Sequence, residues 1–204
     1  VLGISGSNAD LLIPEITASW EASMMQIAGK QPEARARAQQ ALDRLYEGRE
    51  KLPPFPRLEQ SLFDVIYYAS YATGDYVAAE AAARQRVRIL KPQVTASAPT
   101  QYYFFASVVR AAKAVARQGG PAEALEMLKP ALEFHRHARM EKSEDLEVRV
   151  FKCDTLLAAA LADPAMRKAY LTEAAGLFDK MPHEAQRWRR YAVIREEIAR
   201  EMAR

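Results

Sequence analysis

A residue that breaks one apolar helical run and opens the next recurs along this chain at a constant interval. Gly29 in "AGKQPEARARAQQAL", Gly74 in "TGDYVAAEAA" and Gly119 in "GGPAEALEML" lie 45 residues apart. One more step of that length reaches Pro164 in "ADPAMRKAYLTEAAGL". Five residues after each breaker stands an alanine: Ala34, Ala79, Ala124 and Ala169. Twelve residues after it stand Ala41, Arg86, Ala131 and Gly176, small in three of the four copies. A period of this length constrains the fold more than any single motif does, because each unit must bury its apolar face against its neighbours. The breaker turns the chain, and the small residues let the second helix approach the first closely.

Apolar runs of helical period precede the breakers over 9–28, 57–73, 99–118 and 144–162 and follow them over 32–50, 75–91, 121–138 and 165–180. Ala, Leu, Arg, Glu and Gln dominate these runs, and such side chains lose little rotamer freedom in a helix. The stretches "LPPFP" (52–56), "KPQVTASAP" (91–99) and "RMEKSED" (139–145) separate the hairpins. In the last, Ser143 reads as an N-cap, with Glu144 and Asp145 suited to the helix dipole. A further helix over 183–202 puts Trp188, Tyr191, Ile198 and Met202 on one side and Arg189, Arg190, Glu197 and Arg200 elsewhere, the pattern of a cap.

The expectation is an all-α chain: a right-handed α-solenoid of four antiparallel helix pairs plus a C-terminal capping helix. The hairpins span about 9–50, 57–91, 99–138 and 144–180, within one domain of residues 9–204 that follows a flexible linker, 1–8. Pro130, inside the third B helix, should bend it.

Composition narrows the function classes. Half of the 204 residues are hydrophobic and 27% are charged, the balance of a folded chain. With 29 basic and 26 acidic residues, a net charge of +3 does not by itself call for nucleic acid or an anionic membrane. Arginine-rich stretches such as "RARAQQALDR" and "RWRRYAVIR" are interleaved with acids and carry no recognition motif, which counts against nucleic acid. A single cysteine excludes an internal disulfide. The longest apolar run, "LLAAALA" at 156–162, is far short of the roughly 18 residues that span a bilayer. The chain starts at Val1 without a signal peptide, so it reads as a soluble, bacterial-type piece of a longer protein, compatible with cytoplasm or periplasm.

No catalytic, cofactor or metal constellation emerges. His135 and His137 are two apart on a helix and point to different sides, so they read as solvated residues near a helix C-terminus. Cys153 lies on an apolar stripe with Leu146, Val150 and Leu157, as a small hydrophobe does. "GISGSNAD" (3–10) lacks the Lys-Ser/Thr ending of a phosphate loop.

The turn glycine, the alanine five places on and the small residue twelve places on resemble the tetratricopeptide repeat family over residues 9–180. The third copy, Gly119–Ala124–Leu128–Ala131, matches best. The 45-residue period exceeds the family's 34, Arg86 replaces a small residue, and the helix A Trp and Gly are missing. The copies are thus divergent, with armadillo- or HEAT-like pairing as the structural alternative.

The resemblance implies a non-catalytic module that binds a protein or peptide in a concave groove lined by the A helices. The partner-binding residues are then Asp64, Tyr68, Tyr71, Arg110, Lys113, Arg117 and Asp154. Tyrosines beside Lys113 and Arg117 suit an acidic or C-terminal peptide best. A domain that senses a small anionic effector is the alternative. In the aromatic run "YYFF" (102–105), Phe104 and Phe105 are expected in the core and Tyr102 and Tyr103 at the groove, hydroxyls in water.

Overall fold

The computed structural model describes residues 12–48, 54–94, 98–137, 146–182 and 189–204. Among them there is no strand and there are nine α-helices: α1 (Ile13–Ile27), α2 (Gln31–Glu47), α3 (Pro56–Ala72), α4 (Tyr76–Leu90), α5 (Ala98–Arg117), α6 (Pro121–His137), α7 (Leu146–Ala162), α8 (Arg167–Asp179) and α9 (Arg189–Met202). The all-α expectation holds, and most helix ends fall within a few residues of the sequence reading. The linker 1–8, the glycine-containing stretch 3–10 and the segment 139–145 with Ser143 lie outside the described residues. The chain divides into two compact units, Val1–Gln93 with α1–α4 and Val94–Arg204 with α5–α9.

Three hairpins are made by one and the same turn. Gly29, Gly74 and Gly119 have φ values of 82°, 81° and 85°, a left-handed conformation that a Cβ disfavours. The N–H of Gly74 donates to the Tyr71 carbonyl at 3.2 Å, and that of Asp75 to the Ser70 carbonyl at 2.9 Å. Gly29 and Lys30 repeat this pair of bonds to Gln26 and Met25, and Gly119 and Gly120 repeat it to Ala116 and Val115. Helix-end carbonyls that lack an intrahelical donor are satisfied in this way. The next helix starts at once. The N–H groups of Ala34, Ala79 and Ala124 donate to the carbonyls of Lys30, Asp75 and Gly120 at 2.9–3.0 Å. Pro32 and Pro121 sit in the first turns of α2 and α6, where no donor is lost. In α4 the same place is taken by an Asp75 cap, which accepts from the Ala78 N–H at 3.1 Å.

These alanines mark the close approach of each pair. Ala34, Ala79 and Ala124 have no exposed surface, and Ala41 and Ala131 have none either. Within the first unit α3 packs on both α1 and α2; within the second, α7 packs on both α5 and α6. α9 packs on α8 and α7 and adds Tyr191, Ile194 and Ile198 to a core that includes Val150, Leu157, Leu171 and Phe178.

The fourth hairpin departs from the repeat. Its turn occupies four residues, 163–166, instead of three. No left-handed glycine is present; the Asp163 carboxylate accepts from the N–H groups of Ala165 and Met166 at 3.0 and 3.2 Å. The longer turn shifts the register, so Ala169 is exposed and the buried line runs through Leu171, Ala174 and Phe178. The aromatic run also differs from expectation. Tyr102 is core, its ring 5.1 Å from that of Phe151, whereas Phe104 and Phe105 are half-buried and Tyr103 is exposed. α6 continues through Pro130 to His137.

Ala124→Leu should therefore lower the unfolding free energy by about 1–3 kcal/mol, because it forces bulk into a closed contact. Ala169→Leu, on an exposed surface, should change it by less than about 0.5 kcal/mol. Urea unfolding of the two variants beside the parent protein checks the contrast.

Candidate functional site

In the first unit, Asp64, Tyr68 and Tyr71 share one line of α3 through their four- and three-residue spacing. Tyr68 and Tyr71 are both half-buried. They flank the buried Tyr67, with ring centroids 5.2 Å away edge-on for Tyr68 and 5.6 Å away stacked for Tyr71. Tyr76, at the start of α4, meets Tyr71 edge-on at 5.2 Å. Four tyrosines thus form one braced cluster, with two of them partly presented at its surface. Such contacts contribute beyond area burial and fix the ring orientations.

Asp64 has a structural task. Arg86 sits twelve residues after Gly74, where the neighbouring hairpins place Ala41 and Ala131, and only 5% of it is exposed. A guanidinium in that position needs a carboxylate, and Asp64 of the same hairpin supplies the ion pair.

In the second unit Lys113, Arg117 and Asp154 come together, in ion pairs with one another and with the chain's own Glu197 and Glu201. Lys113 Nζ lies 2.8 Å from Asp154 Oδ1 and 3.0 Å from Glu197 Oε2. Arg117 donates at 2.8 Å to Glu197 and at 2.8 Å to Glu201, and Arg167 also pairs with Glu201. Glu197 and Glu201 are each only 3% exposed, and Lys113 and Arg110 each 4%. Lys113 and Arg117 therefore bind α9 rather than face an open surface, Asp154 is held by Lys113, and Arg110 is buried. Glu197, placed by the sequence off the cap's apolar side, is buried. The apolar side of α9 is shorter than expected: Met202 is 53% exposed, and Trp188 lies outside the described residues. Tyr191 adds one more tie, donating to Glu147 Oε1 at 2.8 Å, while the Tyr102 hydroxyl donates to Glu147 Oε2 at 3.2 Å.

His135 corrects another reading. It is not solvated: its ring lies 4.4 Å from that of Phe151, and Nε2 is 3.0 Å from Thr155 Oγ1. The Thr155 hydroxyl donates to the Phe151 carbonyl at 2.8 Å, which leaves its oxygen to accept from Nε2–H. Burial, with Lys152 nearby as a smaller cause, lowers its pKa from 6.5 to about 4. The Cys153 thiol is buried and pushed well above its ordinary range, with Sγ 3.5 Å from the Ala174 carbonyl. It lacks the thiolate character of a nucleophile. Among the described residues no group of three or more His, Cys, Asp or Glu could hold a metal ion, and no helix is long and apolar enough to cross a membrane. His183 lies outside the described residues.

An open cleft of about 500 Å³ lies at the end of α9, bordered by Arg167, Lys168, Leu171, Thr172, Met202 and Arg204. Arg167 and Arg204 both already hold Glu201.

No family model matches the chain, and neither a curated protein nor a solved structure matches it.

Two outcomes follow from this geometry. Lys113→Glu should cost at least about 3 kcal/mol, because it sets a further carboxylate against the half-buried Asp154 and the buried Glu197; chemical unfolding measures the loss. His135 should make stability fall as pH drops. Above 6.5 both states are neutral at this site, whereas below it the unfolded chain takes up a proton that the folded chain refuses until about pH 4. The loss reaches about 3 kcal/mol. His135→Leu restores the residue type that the first two hairpins have at this position, Leu45 and Leu90. Its unfolding free energy should decline less between pH 6.5 and 4 than the parent's.

Proposed function

We propose that this chain is a non-catalytic protein- or peptide-interaction module, a regulatory or scaffold segment of a larger protein. Within each unit its hairpins form a right-handed solenoid of the tetratricopeptide type. The observation that carries this reading is the recurrence of one left-handed glycine turn, with one closed alanine contact after it, in three hairpins at a 45-residue interval. Repeats of this kind display helix faces as an extended recognition surface.

The binding surface is the tyrosine face of α3 in the first unit. Tyr68 and Tyr71 offer large, partly buried rings held in place by Tyr67 and Tyr76, so little side-chain freedom is lost when a partner docks. The partner is a protein or peptide segment that packs against these rings. The cations Lys113 and Arg117 are engaged by carboxylates within the second unit instead.

A sensor of a small anionic ligand is the second reading. The cleft beside Lys168, Arg167 and Arg204, the last two already paired with Glu201 in its wall, has the volume of a ligand site, with Leu171 and Met202 as its apolar lining.

Peptides selected from a random display library against the whole protein test the first reading. Binding of a selected peptide should weaken about thirtyfold or more, about 2 kcal/mol, in Tyr68→Ala or Tyr71→Ala, with helical circular dichroism retained. Unchanged affinity in both variants would place the binding surface elsewhere.

A further inference from the structure

α9 is held differently from the helices before it. α1 to α8 come in pairs joined by turns of three or four residues, whereas α9 packs on α8 and α7 with no hairpin partner among the described residues. Its inward side consists of Tyr191, Ile194, Glu197, Ile198 and Glu201, while Arg195, Glu196, Ala199 and Arg200 are exposed. A helix of 14 residues is marginal by itself in water, so the surface beneath it supplies its order.

The ion pairs on that inward side form one ladder. Asp154, Lys113, Glu197, Arg117, Glu201 and Arg167 follow one another with alternating sign. The first four steps measure 2.8, 3.0, 2.8 and 2.8 Å, and Arg167 closes the row on Glu201. Lys113 and Arg117 stand four residues apart on α5, as Glu197 and Glu201 do on α9, so two helix faces of one-turn period meet cation to carboxylate. Three cations and one carboxylate of the ladder belong to α5, α7 and α8, and the two carboxylates of α9 complete it. Nearer the start of α9, the Tyr191 hydroxyl donates to Glu147 Oε1 of α7 at 2.8 Å.

This seat specifies the helix it takes. It asks for carboxylates one turn apart, with apolar side chains three places before the first and one place after it, as Ile194 and Ile198 are. Ion pairs this buried add little net stability over apolar contacts, but a helix lacking either carboxylate forfeits its pairs while Lys113 stays buried. Complementarity of that kind chooses a partner more than it clamps one. Anchors at helical spacing laid into a groove are a general mode of helix recognition.

We propose that the surface of α5, α7 and α8 beneath α9 is a recognition site for an acidic amphipathic helix of a partner protein, and that α9 is its tethered substitute. A tethered segment competes at an effective concentration of the order of millimolar, so α9 excludes weak helices and yields to one that matches the ladder better. The site lies in the second unit and does not depend on the tyrosine face of α3.

A synthetic peptide of residues 189–204 is the probe. Amide hydrogen exchange of α9 is followed by NMR in the 15N-labelled whole protein, with unlabelled peptide added to about 5 mM, comparable to the effective concentration of the tether. The amides of α9 are expected to exchange about tenfold faster or more as the peptide takes its place, while those of α6 keep their protection. The same peptide carrying Glu197→Gln and Glu201→Gln should leave α9 undisturbed. In the whole protein those two substitutions should act in the opposite sense: they weaken the tethered competitor, so the labelled parent peptide should bind about tenfold more tightly or better by fluorescence anisotropy. A merely structural role for the two carboxylates does not produce that reversal. Should the doubly substituted protein lose helical circular dichroism, the exchange measurement on the wild type decides by itself. Exchange of α9 that does not respond to the peptide, or responds equally to the glutamine peptide, overturns the proposal.

Discussion

The structure depends on the contact between paired helices at the alanine that follows each left-handed glycine. The glycine sends the chain back on itself, and the N–H of the alanine makes the first helical hydrogen bond of the returning segment. Turn and contact point are therefore tied by backbone geometry alone, with no freedom to slide. A side chain larger than alanine at that point would push the pair apart and carry the error along both helices, since interiors of this density do not absorb added bulk. Where the glycine is missing, in the fourth hairpin, an aspartate cap takes over the turn and the alanine position loses its contact.

Against that regular frame the departures carry the individuality of the chain. Arg86 and His135 stand at places where sister hairpins have alanine or leucine, and each brings its own partner, Asp64 and Thr155. The cluster of Lys113, Arg117, Arg167, Asp154, Glu197 and Glu201 goes further: it dictates the register in which α9 can close its unit. Buried ion pairs of this kind contribute little net stability against apolar residues of equal volume, but a half-broken one is costly. They act here as a check on alignment, while Tyr191, Ile194 and Ile198 supply the apolar contribution.

What was legible in the sequence was whatever local chemistry decides. Glycine followed by a cap or proline marks a turn irrespective of its surroundings, so the helix limits and the alanine contacts could be read from residues within a few places of one another. The partners of Lys113 and Arg117 could not, because Glu197 and Glu201 lie some eighty residues on, in a helix that reads from its sequence as a cap facing inward by its apolar side. His135 was opaque for the same reason; only the approach of α7, bringing Phe151 and Thr155, makes its environment apolar. The shift at Ala169 turns on one side-chain cap, Asp163, that composition does not distinguish from an ordinary surface aspartate.

The central claim is that left-handed glycines build the repeated hairpin, and it can be tested without any ligand. An added Cβ meets nothing within 4 Å at Gly74, Gly119 or Gly176, so alanine at each reports backbone conformation and not crowding. Unfolding free energies of Gly74→Ala, Gly119→Ala and Gly176→Ala are the measurement. The first two should lose about 1 kcal/mol or more from the strained left-handed turn. The third, inside α8, should gain about 0.5–1 kcal/mol from the better helix former. Equal effects at all three positions, or a gain at Gly74 or Gly119, would contradict the account.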